Sequence, residues 1–309
     1  MKLKPAIQKN CNQCQATDIK CIGKLKDNIS FAGKSYEIPL LGGHLYQCNL
    51  CHLKFRSPLL ENKKYTELYN NGVNTNWQST STRNDWLIIS NFIEKNLMKG
   101  SKILDFGCNT GELLKLLDLN YIKYGVEVNA SAAAIAENLV GATIFNSLEA
   151  IPQESKFNAI ILCDVIEHIS NPAEILCKLA QHLEPNGQIL VTTGDANCVL
   201  WQAFGANWWY CSFAEHISFV SELWVNEFVK IAPFTKGNIH SFKYSNLNLF
   251  DYLFNIPAMV FFGLLPNTYL KLAHWLKIVL GKTGDIPIKG QGVSYDHLFF
   301  VLTHNQESK

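Results

Sequence analysis

The sequence predicts an α/β fold built on an open, mostly parallel β-sheet. Short apolar runs rich in β-branched residues alternate with helical patterns between residues 83 and 245. A glycine-containing loop, Asp105 to Gly111, joins one of these runs to a helix. Such alternation is typical of parallel sheets with right-handed crossover connections. A chain of 309 residues has room for one large domain or for two smaller ones with filled cores.

The composition excludes several classes of protein. Charged residues make up 17% of the chain and hydrophobic residues 48%. A soluble domain usually carries about a quarter charged residues, and a disordered chain combines low hydrophobicity with high net charge. The formal net charge is +1. The chain therefore has no overall electrostatic attraction to nucleic acid or to anionic lipid, although a local patch is compatible with this balance.

The order of the predicted elements justifies the fold class. The run Lys102 to Leu114 is predicted as strand, glycine loop and helix, and the further predicted strands are Tyr124 to Val128, Phe157 to Cys163, Gln188 to Thr193, Asn238 to Tyr244 and His297 to Thr303. Asn171-Pro172 is a helix start, and the helix is predicted to run to about Leu183, before the turn Glu184 to Gly187. The last two strands are predicted to pair with each other. About 50 residues between them form an insertion.

Three zones follow from this order. We predict a cysteine-containing element over residues 1–70, a core over 71–245, and an apolar insertion with the last strand of the core over 246–309. The polar stretch from Asn70 to Arg83, rich in Asn, Ser and Thr, is the predicted linker between the first two zones.

Two Cys-x-x-Cys pairs mark the first zone. They are Cys11 with Cys14 and Cys48 with Cys51. Each pair can form a tight turn that presents two thiolates, and two such turns give a tetrahedral site that suits Zn²⁺. An element of this size with few large apolar groups would also gain folding free energy from a metal. Four free structural thiols and a redox dithiol are the alternatives.

The N-terminal residues bear on whether the protein is secreted, and so on whether its cysteines are oxidised. Met1 to Asn10 holds three lysines and lacks an apolar run, so it does not resemble a secretory signal. Reduced cysteines are then expected, which favours metal ligands over disulfides. We expect a cytoplasmic protein, with contact to the inner face of the membrane as an option.

The glycine loop and the strand after it predict a nucleotide-like ligand site. The small residues of the loop let the backbone approach a ligand closely, and the helix N-terminus offers free N–H groups. Glu127 lies near the end of the next strand, about 20 residues after the loop begins. A carboxylate at that position can accept both hydroxyls of a ribose.

The whole series, from Trp86 to Val229, resembles the class I S-adenosylmethionine-dependent methyltransferases. Their first motif is usually Asp-x-Gly-Cys-Gly-x-Gly, and Asn109 stands here at the middle glycine. Asn tolerates left-handed backbone better than most residues, so the loop can keep its shape. The resemblance implies a Rossmann-like sheet of seven strands and S-adenosyl-L-methionine as the methyl donor. The donor-site residues that it implies are Asp105, Gly107, Cys108, Asn109, Gly111, Glu127, Val128, Asn146, Ser147 and Asp164.

The cysteine-containing element extends this resemblance. The run Tyr46 to Pro58, followed by Tyr65 and Tyr69, is similar to the N-terminal zinc-binding part of a bacterial subgroup that contains sugar C-methyltransferases. In that subgroup a second α/β domain follows the methyltransferase fold. The last 65 or so residues of this chain cannot hold such a domain, so the chain departs from the subgroup there.

The aromatic loop, residues 208–219, carries the candidate catalytic residues. It reads Trp-Trp-Tyr-Cys-Ser-Phe-Ala-Glu-His-Ile-Ser-Phe. A His near its ordinary pKa, oriented by a neighbouring carboxylate, suits removal of a proton from an acceptor. The pair Glu215-His216 resembles the Glu-His pair that sugar C-methyltransferases use in this way, and Tyr210 is the third candidate. A structural His216 is the alternative, and His168 is expected near the donor, as a wall of the site.

The apolar insertion, residues 246–282, raises the question of a membrane. Leu253 to Leu270 has no charged residue but is interrupted by Pro257 and Pro266. A spanning helix needs about 20 apolar residues without such interruptions. Asn267 to Lys282 reads as an amphipathic helix. Peripheral membrane contact, a cover over the acceptor pocket and a dimer contact are the roles that remain open.

These observations predict methyl transfer from S-adenosylmethionine to a small molecule, with zinc as a structural metal. The predicted acceptor is a sugar or glycan intermediate of surface-polysaccharide biosynthesis, including a lipid-linked one. The alternatives are O-methylation of a lipid or quinone-like acceptor, RNA methylation, and a non-catalytic S-adenosylmethionine-binding protein. RNA is disfavoured because no Lys or Arg lies between Thr192 and Glu227. The sequence does not indicate an oligomeric state.

Overall fold

A computed structural model gives the fold of this chain. It describes residues 9–32, 34–40, 42–71, 83–279 and 292–305. Most of the predicted linker, and residues 280–282 at the end of the predicted amphipathic helix, lie outside the described residues.

The N-terminal element is built from short strands. Its elements are β1 (Ile19–Lys24), β2 (Asn28–Phe31), β3 (Lys34–Leu40), β4 (His44–Cys48), β5 (Lys54–Ser57) and α1 (Asn62–Asn70). Strands β2 and β3 form an antiparallel hairpin of their own. Strands β1, β4 and β5 pair antiparallel in that order.

The rest of the chain forms the large sheet and the helices around it. Its elements are α2 (Asn84–Asn96), β6 (Lys102–Phe106), α3 (Glu112–Leu116), β7 (Ile122–Val126), α4 (Ala130–Val140), β8 (Thr143–Phe145), β9 (Phe157–Cys163), α5 (Pro172–Ala180), β10 (Leu183–Gly194), α6 (Val199–Phe204), β11 (Ser218–Phe219), α7 (Glu222–Phe228), β12 (Phe234–Phe242), α8 (Leu249–Leu264), α9 (Pro266–Val279) and β13 (His297–His304). Single turns of 3₁₀ helix occur at Leu148–Ala150, Ile166–His168, Gly205–Asn207 and Trp209–Ser212.

The large sheet confirms the predicted fold class. Its seven strands lie in the order β12-β13-β10-β9-β6-β7-β8. Neighbours from β10 through β8 are parallel, whereas β13 runs antiparallel to both β10 and β12. The predicted pairing of the last two strands is therefore confirmed. Alternate residues of β9 enter two different core clusters, Ile160 and Leu162 one of them and Ala159 and Ile161 the other, as expected for a strand covered on both faces.

Some predicted boundaries were wrong. Helix α5 ends at Ala180, and Leu183 already belongs to β10, whose pairing with β9 is irregular between Leu183 and Gln188. Strand β7 ends at Val126, so Glu127 stands just beyond the strand rather than inside it. Strand β12 begins four residues earlier than predicted, at Phe234.

The N-terminal element and the core share one sheet. Strand β11, which ends the aromatic loop, pairs antiparallel with β5, so the four-stranded sheet has the order β1-β4-β5-β11. The backbone of the cysteine-containing element is thus hydrogen-bonded directly to the loop that carries the candidate catalytic residues.

The apolar insertion folds as two helices, α8 and α9. Met259 and Phe262 of α8 are buried in an aromatic cluster with Trp201, Trp208 and Trp209. Within the described parts of the chain, no helix has the length and apolar character needed to cross a membrane.

Candidate functional site

The loop between β6 and α3 has the backbone shape predicted for ligand binding. Gly107 and Gly111 have φ angles of +87° and +86°, and Asn109 has φ +47°. An added Cβ at Gly107 would lie 2.6 Å from a methyl carbon of Val165, so a side chain does not fit there. Asn109 therefore adopts the left-handed conformation that was predicted for the residue replacing the middle glycine.

Glu127 is fixed at this loop by two backbone N–H groups. The amide of Asn109 donates to its Oε2 at 2.9 Å, and the amide of Asn129 donates to its Oε1 at 2.7 Å. Each carboxylate oxygen keeps a further lone pair that can accept a hydroxyl. Burial raises the pKa of Glu127, and these backbone hydrogen bonds act in the opposite direction.

Two carboxylates at the ends of β6 and β9 each have an oxygen atom without a hydrogen-bond partner among the described residues. Asp105 is buried, and its Oδ1 has no hydrogen-bond partner among the described residues. Asp164 Oδ1 also has no hydrogen-bond partner among the described residues, and the backbone of Asp164 has φ +53°. Burial first, and then Glu127, raise the pKa of Asp105 to about 7. An unpartnered buried oxygen costs free energy unless a ligand donates to it, so both atoms point to a ligand.

Arg83 was not predicted as a site residue, yet its guanidinium pairs with both Asp85 and Asp164. It also lies over the ring of Tyr244, at 4.9 Å from the ring centre. Burial raises the pKa of Asp164 to about 6, while Arg83 lowers it. Arg83 precedes α2, about 80 residues before Asp164, and no local pattern links the two.

The remaining predicted donor residues fall into two groups. Val128 is 55% exposed beside Glu127. Asn146 is exposed and Ser147 half-buried, and both follow β8 at the same edge of the sheet. The side chain of Cys108, in contrast, is buried against β7, where a Cβ added to Gly125 would lie 2.5 Å from its sulfur. Only the backbone of Cys108 can therefore meet a ligand.

The structure places His216 with a different orienting group from the predicted one. The ring is buried, and its Nδ1 lies 3.0 Å from the carbonyl oxygen of Tyr210. That carbonyl, not the carboxylate of Glu215, receives the ring N–H. Burial first, and then His168, lower the pKa of His216 well below its ordinary value, which corrects the expectation of a His near neutral pKa.

His168 and Tyr69, both half-buried, form a polar cluster with the buried Glu215. His168 Nδ1 lies 3.0 Å from the hydroxyl of Tyr69 and 3.1 Å from the carbonyl oxygen of Glu215. The rings of His168 and His216 are 5.0 Å apart. Burial raises the pKa of Glu215 and lowers that of His168. Tyr69 was indicated by the sequence only through a resemblance, since Tyr69 lies 99 residues before His168.

The hydroxyl of Tyr210 is already engaged within the protein. It donates to Glu167 Oε1, and the amide of Gly194 donates to it at 3.1 Å. Thr193 donates to the other oxygen of Glu167 at 3.0 Å. The ring of Tyr210 lies 4.3 Å from that of His216. The geometry thus makes Tyr210 a wall and an anchor for this cluster, with Glu167 as a further residue that the sequence analysis did not single out.

The four predicted metal ligands lie together. The sulfur atoms of Cys11 and Cys51 are 3.7 Å apart and those of Cys14 and Cys48 are 3.5 Å apart, and all four lie within 4.8 Å of one another. Tetrahedral zinc with Zn–S bonds of about 2.3 Å requires S···S distances of roughly 3.8 Å. All four are free thiols, and a hydrogen bond from Cys51 lowers the pKa of Cys11 to about 5. The donor set and its spacing therefore fit zinc.

Comparison with known proteins addresses the core of the chain. Residues 83–230 match the model of a family described as a methyltransferase domain. A mitochondrial ubiquinone biosynthesis O-methyltransferase of Schizosaccharomyces pombe is 28% identical over 123 residues, which are 37% of this chain and 44% of that protein. A ubiquinone biosynthesis O-methyltransferase of Rickettsia typhi is 28% identical over 104 residues, 30% of this chain and 40% of that protein. The chain thus spans less than half of the length of these curated relatives.

Among solved structures, a methyltransferase described as putative, from Bacillus halodurans, covers 72% of this chain and 97% of its own, with 12% identity and a TM-score of 0.48. The N-methyltransferase NodS of Bradyrhizobium japonicum, bound to S-adenosyl-L-homocysteine, covers 79% of this chain and 98% of its own, with 11% identity and a TM-score of 0.46. The family match covers residues that include the glycine loop, Glu127, Asp164 and the aromatic loop, and it supports the prediction made from the sequence that this part of the chain is a methyltransferase domain.

Proposed function

We propose that this chain transfers a methyl group from S-adenosylmethionine to the hydroxyl of a quinone-like or other lipid-type small molecule. The observation that carries the donor assignment is the buried Asp105 oxygen without a partner among the described residues, beside a loop whose φ angles admit a close ligand. The methionine part of the donor bears an ammonium group that can donate to Asp105 and a carboxylate that can pair with Arg83. The free lone pairs of Glu127 suit the two ribose hydroxyls.

S-adenosylmethionine, when bound, supplies an electrophilic methyl group. The protein then has to orient the acceptor oxygen, exclude water and take up the acceptor's proton. His216 suits the last task because its Nδ1–H is committed to the Tyr210 carbonyl, which leaves the lone pair on Nε2. The depressed pKa of His216 keeps that lone pair free at neutral pH. The acceptor oxygen gains the methyl group as the S–CH₃ bond breaks, Nε2 gains the acceptor's proton, and neutral S-adenosylhomocysteine is the leaving group.

The acceptor class follows from two observations. The curated relatives named above are ubiquinone biosynthesis O-methyltransferases. The aromatic loop and its neighbours carry no Lys or Arg between Thr192 and Glu227, so this wall suits an uncharged aromatic or apolar acceptor. Both observations favour the quinone-like alternative over the sugar or glycan acceptor that the sequence analysis placed first.

A methyl-transfer assay with labelled donor tests this proposal. The acceptor panel consists of hydroxylated quinone precursors, nucleotide-linked sugars and RNA. We expect transfer to the quinone precursors, and a much slower reaction with His216→Gln. The variant His240→Gln is the control, because His240 is exposed and lies outside the site. Transfer to the sugars alone would overturn the acceptor proposal. Absence of donor binding by pure protein would overturn the methyltransferase proposal itself.

We also propose that Cys11, Cys14, Cys48 and Cys51 hold a structural zinc ion. Four sulfur ligands leave no open coordination position for an acceptor, which is typical of structural rather than catalytic sites. The amides of Gln13 and Cys51 each donate to a cluster sulfur at 3.4 Å, as is expected of a turn built to present thiolates. Zinc would therefore contribute to the stability of the N-terminal element and of the sheet that includes β11.

We propose, finally, that α8 and α9 rest on an anionic phospholipid surface. One side of α8 is buried, but the other exposes Leu249, Phe250, Leu253, Phe254 and Leu264 at 62% to 78%. A helix that is apolar on both sides requires a further apolar partner. Trp275 of α9 is exposed beside Lys271, and the single acid of the two helices, Asp251, is held in a capping box with Asn248. Aromatic and basic residues beside an apolar face are typical of interfacial helices.

Sedimentation with lipid vesicles tests the membrane proposal. Vesicles of phosphatidylcholine with about one third phosphatidylglycerol are expected to carry down the wild-type chain, and far less of a Phe250→Ser, Phe254→Ser variant. Leu119→Ser is the matched control, because Leu119 is 92% exposed but lies far along the chain from this surface. Equal sedimentation of both variants, or a dimer in which this face is protected, would contradict a lipid partner.

A further inference from the structure

Arginine is rare in this chain, and both of its arginines lie at the candidate site. Arg56 and Arg83 are the only two, although the chain has 27 basic residues. Arg83 pairs with Asp164 at the donor side, as described above. Arg56 belongs to β5 in the N-terminal element and has no part in the chemistry proposed so far. Arginine differs from lysine in presenting five N–H donors in a rigid, planar fork, so its selective use indicates that the fork matters.

The guanidinium of Arg56 holds four backbone carbonyl groups. Its Nε donates to His216 at 3.0 Å and one terminal nitrogen donates to Gly42 at 2.7 Å. The other terminal nitrogen donates to Cys211 at 2.9 Å and to Phe213 at 2.8 Å. Three of these four carbonyl groups belong to the aromatic loop and one to the N-terminal element. The side chain therefore ties residues 211–216 of the loop to the cysteine-containing element at several points.

Arg56 is placed by backbone pairing on both sides. Its own amide donates to the carbonyl of Ile217 at 2.8 Å, and the amide of Ile217 donates to the carbonyl of Glu167 at 2.8 Å. Strand β5 pairs with β11 at Ser218 opposite Phe55. The residue is 3% exposed, and burial lowers the pKa of its guanidinium. A buried cation is retained where several acceptors replace its hydration, as the four carbonyl oxygens do here.

We propose that Arg56 is a positioning residue for methyl transfer. It acts through the aromatic loop, since it fixes the carbonyl of His216 and the backbone on either side of Glu215, and so sets where the His216 ring stands. The role in the reaction rests on the function proposed above, but the order that Arg56 imposes on the loop does not. The N-terminal element is by this inference part of the acceptor site rather than an appended module.

Lysine cannot replace this side chain. A lysine ammonium group is a compact donor, so it cannot reach all the carbonyl groups that surround the planar guanidinium of Arg56. Arg56→Lys keeps the charge and most of the volume, so the fold is expected to persist while the loop loosens. Lys64→Ala is the matched control for loss of a basic side chain in the same element, because Lys64 is exposed and pairs with Glu67 in the next turn of α1.

Hydrogen exchange, histidine NMR and donor binding together test the proposal on the full chain with its metal. In Arg56→Lys we expect the amides of residues 211–216 to exchange about tenfold faster or more, with amides 105–111 of the donor loop within about twofold of wild type. The ¹⁵N signals of the His216 ring, assigned by their loss in His216→Gln, should change from a single Nδ1–H tautomer to a mixture. Binding of S-adenosylhomocysteine should stay within about twofold of wild type.

Unchanged exchange of residues 211–216 and an unchanged His216 tautomer in Arg56→Lys would overturn the positioning role. Equal loss of protection in the donor loop would also overturn it, because Arg56 would then support the whole fold. Failure of the proposed function has a different signature. In that case neither wild type nor Arg56→Lys binds S-adenosylhomocysteine, while the exchange difference at the loop persists.

Discussion

The Nδ1 atom of His216 lies 3.0 Å from the main-chain carbonyl oxygen of Tyr210, and this contact fixes which ring nitrogen can act as a base. A carbonyl only accepts, so Nδ1 carries the hydrogen and Nε2 carries the lone pair. Burial lowers the pKa of the ring, and the neighbouring His168 lowers it further. His216 is therefore neutral at physiological pH and needs no carboxylate to hold it in the reactive tautomer.

The pH dependence of methyl transfer should reflect this lowered pKa. The neutral ring is the active form, so kcat/KM for the acceptor, measured with saturating donor so that Asp105 is already ionised, is expected to be constant from about pH 8 down to about pH 6.5 and to fall only below that value. His216→Gln should lower kcat/KM by about 10²- to 10⁴-fold and remove the acidic fall. A pH series with a hydroxyl acceptor measures both effects, with His240→Gln as the control. An inflection at or above about pH 6.5 in the wild type would contradict the assignment.

Binding of the methyl donor should release a proton from Asp105. Burial and Glu127 raise the pKa of this carboxyl to about 7, and the ammonium group of a bound donor favours its ionised form. Below about pH 7 the donor therefore displaces up to about one proton, and the release fades as the pH rises toward about 8. Calorimetry in two buffers of different ionisation enthalpy measures it. Asp105→Asn should abolish the release and weaken binding, whereas Asp118→Asn, at a half-buried position that pairs with Lys99, should do neither. Heats that are the same in both buffers would contradict this prediction.

The raised pKa of Asp105 also determines whether the stability of the ligand-free chain rises or falls with pH. A group whose pKa is raised on folding contributes its stabilisation at low pH, fully below about pH 3.9, the ordinary pKa of Asp, and loses it as the pH rises through the folded value of about 7. The free energy of unfolding should therefore have a component that decreases between about pH 4 and pH 7. Chemical denaturation across this range should show a smaller decrease in Asp105→Asn than in wild type. Equal slopes for the two proteins would show that other groups dominate.

The fold and the backbone shape of the glycine loop were accessible from the sequence because their signals are local. Strand, glycine loop and helix follow one another within residues 102–116, and β9 was predicted with its observed bounds, Phe157–Cys163. Asn109 could be placed in left-handed backbone from its position in the loop alone. Where helix and strand signals overlap, as at Leu183, the boundary was wrong, because Glu184 to Gly187 looks like a turn but lies within an irregular stretch of β10.

The acceptor side could not be predicted in the same way, because its contacts join distant segments. Arg56 reaches residues about 155 positions away, and Tyr69 reaches His168 across 99 positions. Neither residue belongs to a local pattern that names its partner. The orientation of His216 also escaped prediction, since adjacency of Glu215 in sequence suggested a carboxylate where the fold supplies the Tyr210 carbonyl.

Removal of one cysteine ligand should remove the metal. Cys48→Ser is expected to lower the zinc content of the purified chain from about one ion toward zero and to lower the melting temperature, because the apo site leaves buried thiols without their metal. Cys21→Ser is the matched control, since Cys21 is exposed on β1 of the same element and lies outside the four-cysteine cluster. Metal analysis and thermal unfolding measure the two quantities. Equal zinc content in both variants would mean that these four sulfurs are not the site.

The left-handed residue of the donor loop should tolerate glycine and reject a β-branched side chain. Asn109 has φ +47°, and its amide donates to Glu127 at 2.9 Å, so the loop conformation is coupled to the carboxylate that we propose binds the ribose. Asn109→Gly is expected to keep donor affinity within about threefold, because glycine adopts this conformation without strain. Asn109→Val should cost about 1–2 kcal/mol of stability and weaken donor binding by about tenfold or more, since the strain is relieved only by moving the amide away from Glu127.

The control is Asn138→Val, at an exposed position of α4, which should change stability by a few tenths of a kcal/mol and leave binding unchanged. Calorimetric titration with S-adenosylhomocysteine and chemical denaturation give both numbers. A valine at position 109 that binds as tightly as glycine would show that the loop does not need this backbone shape.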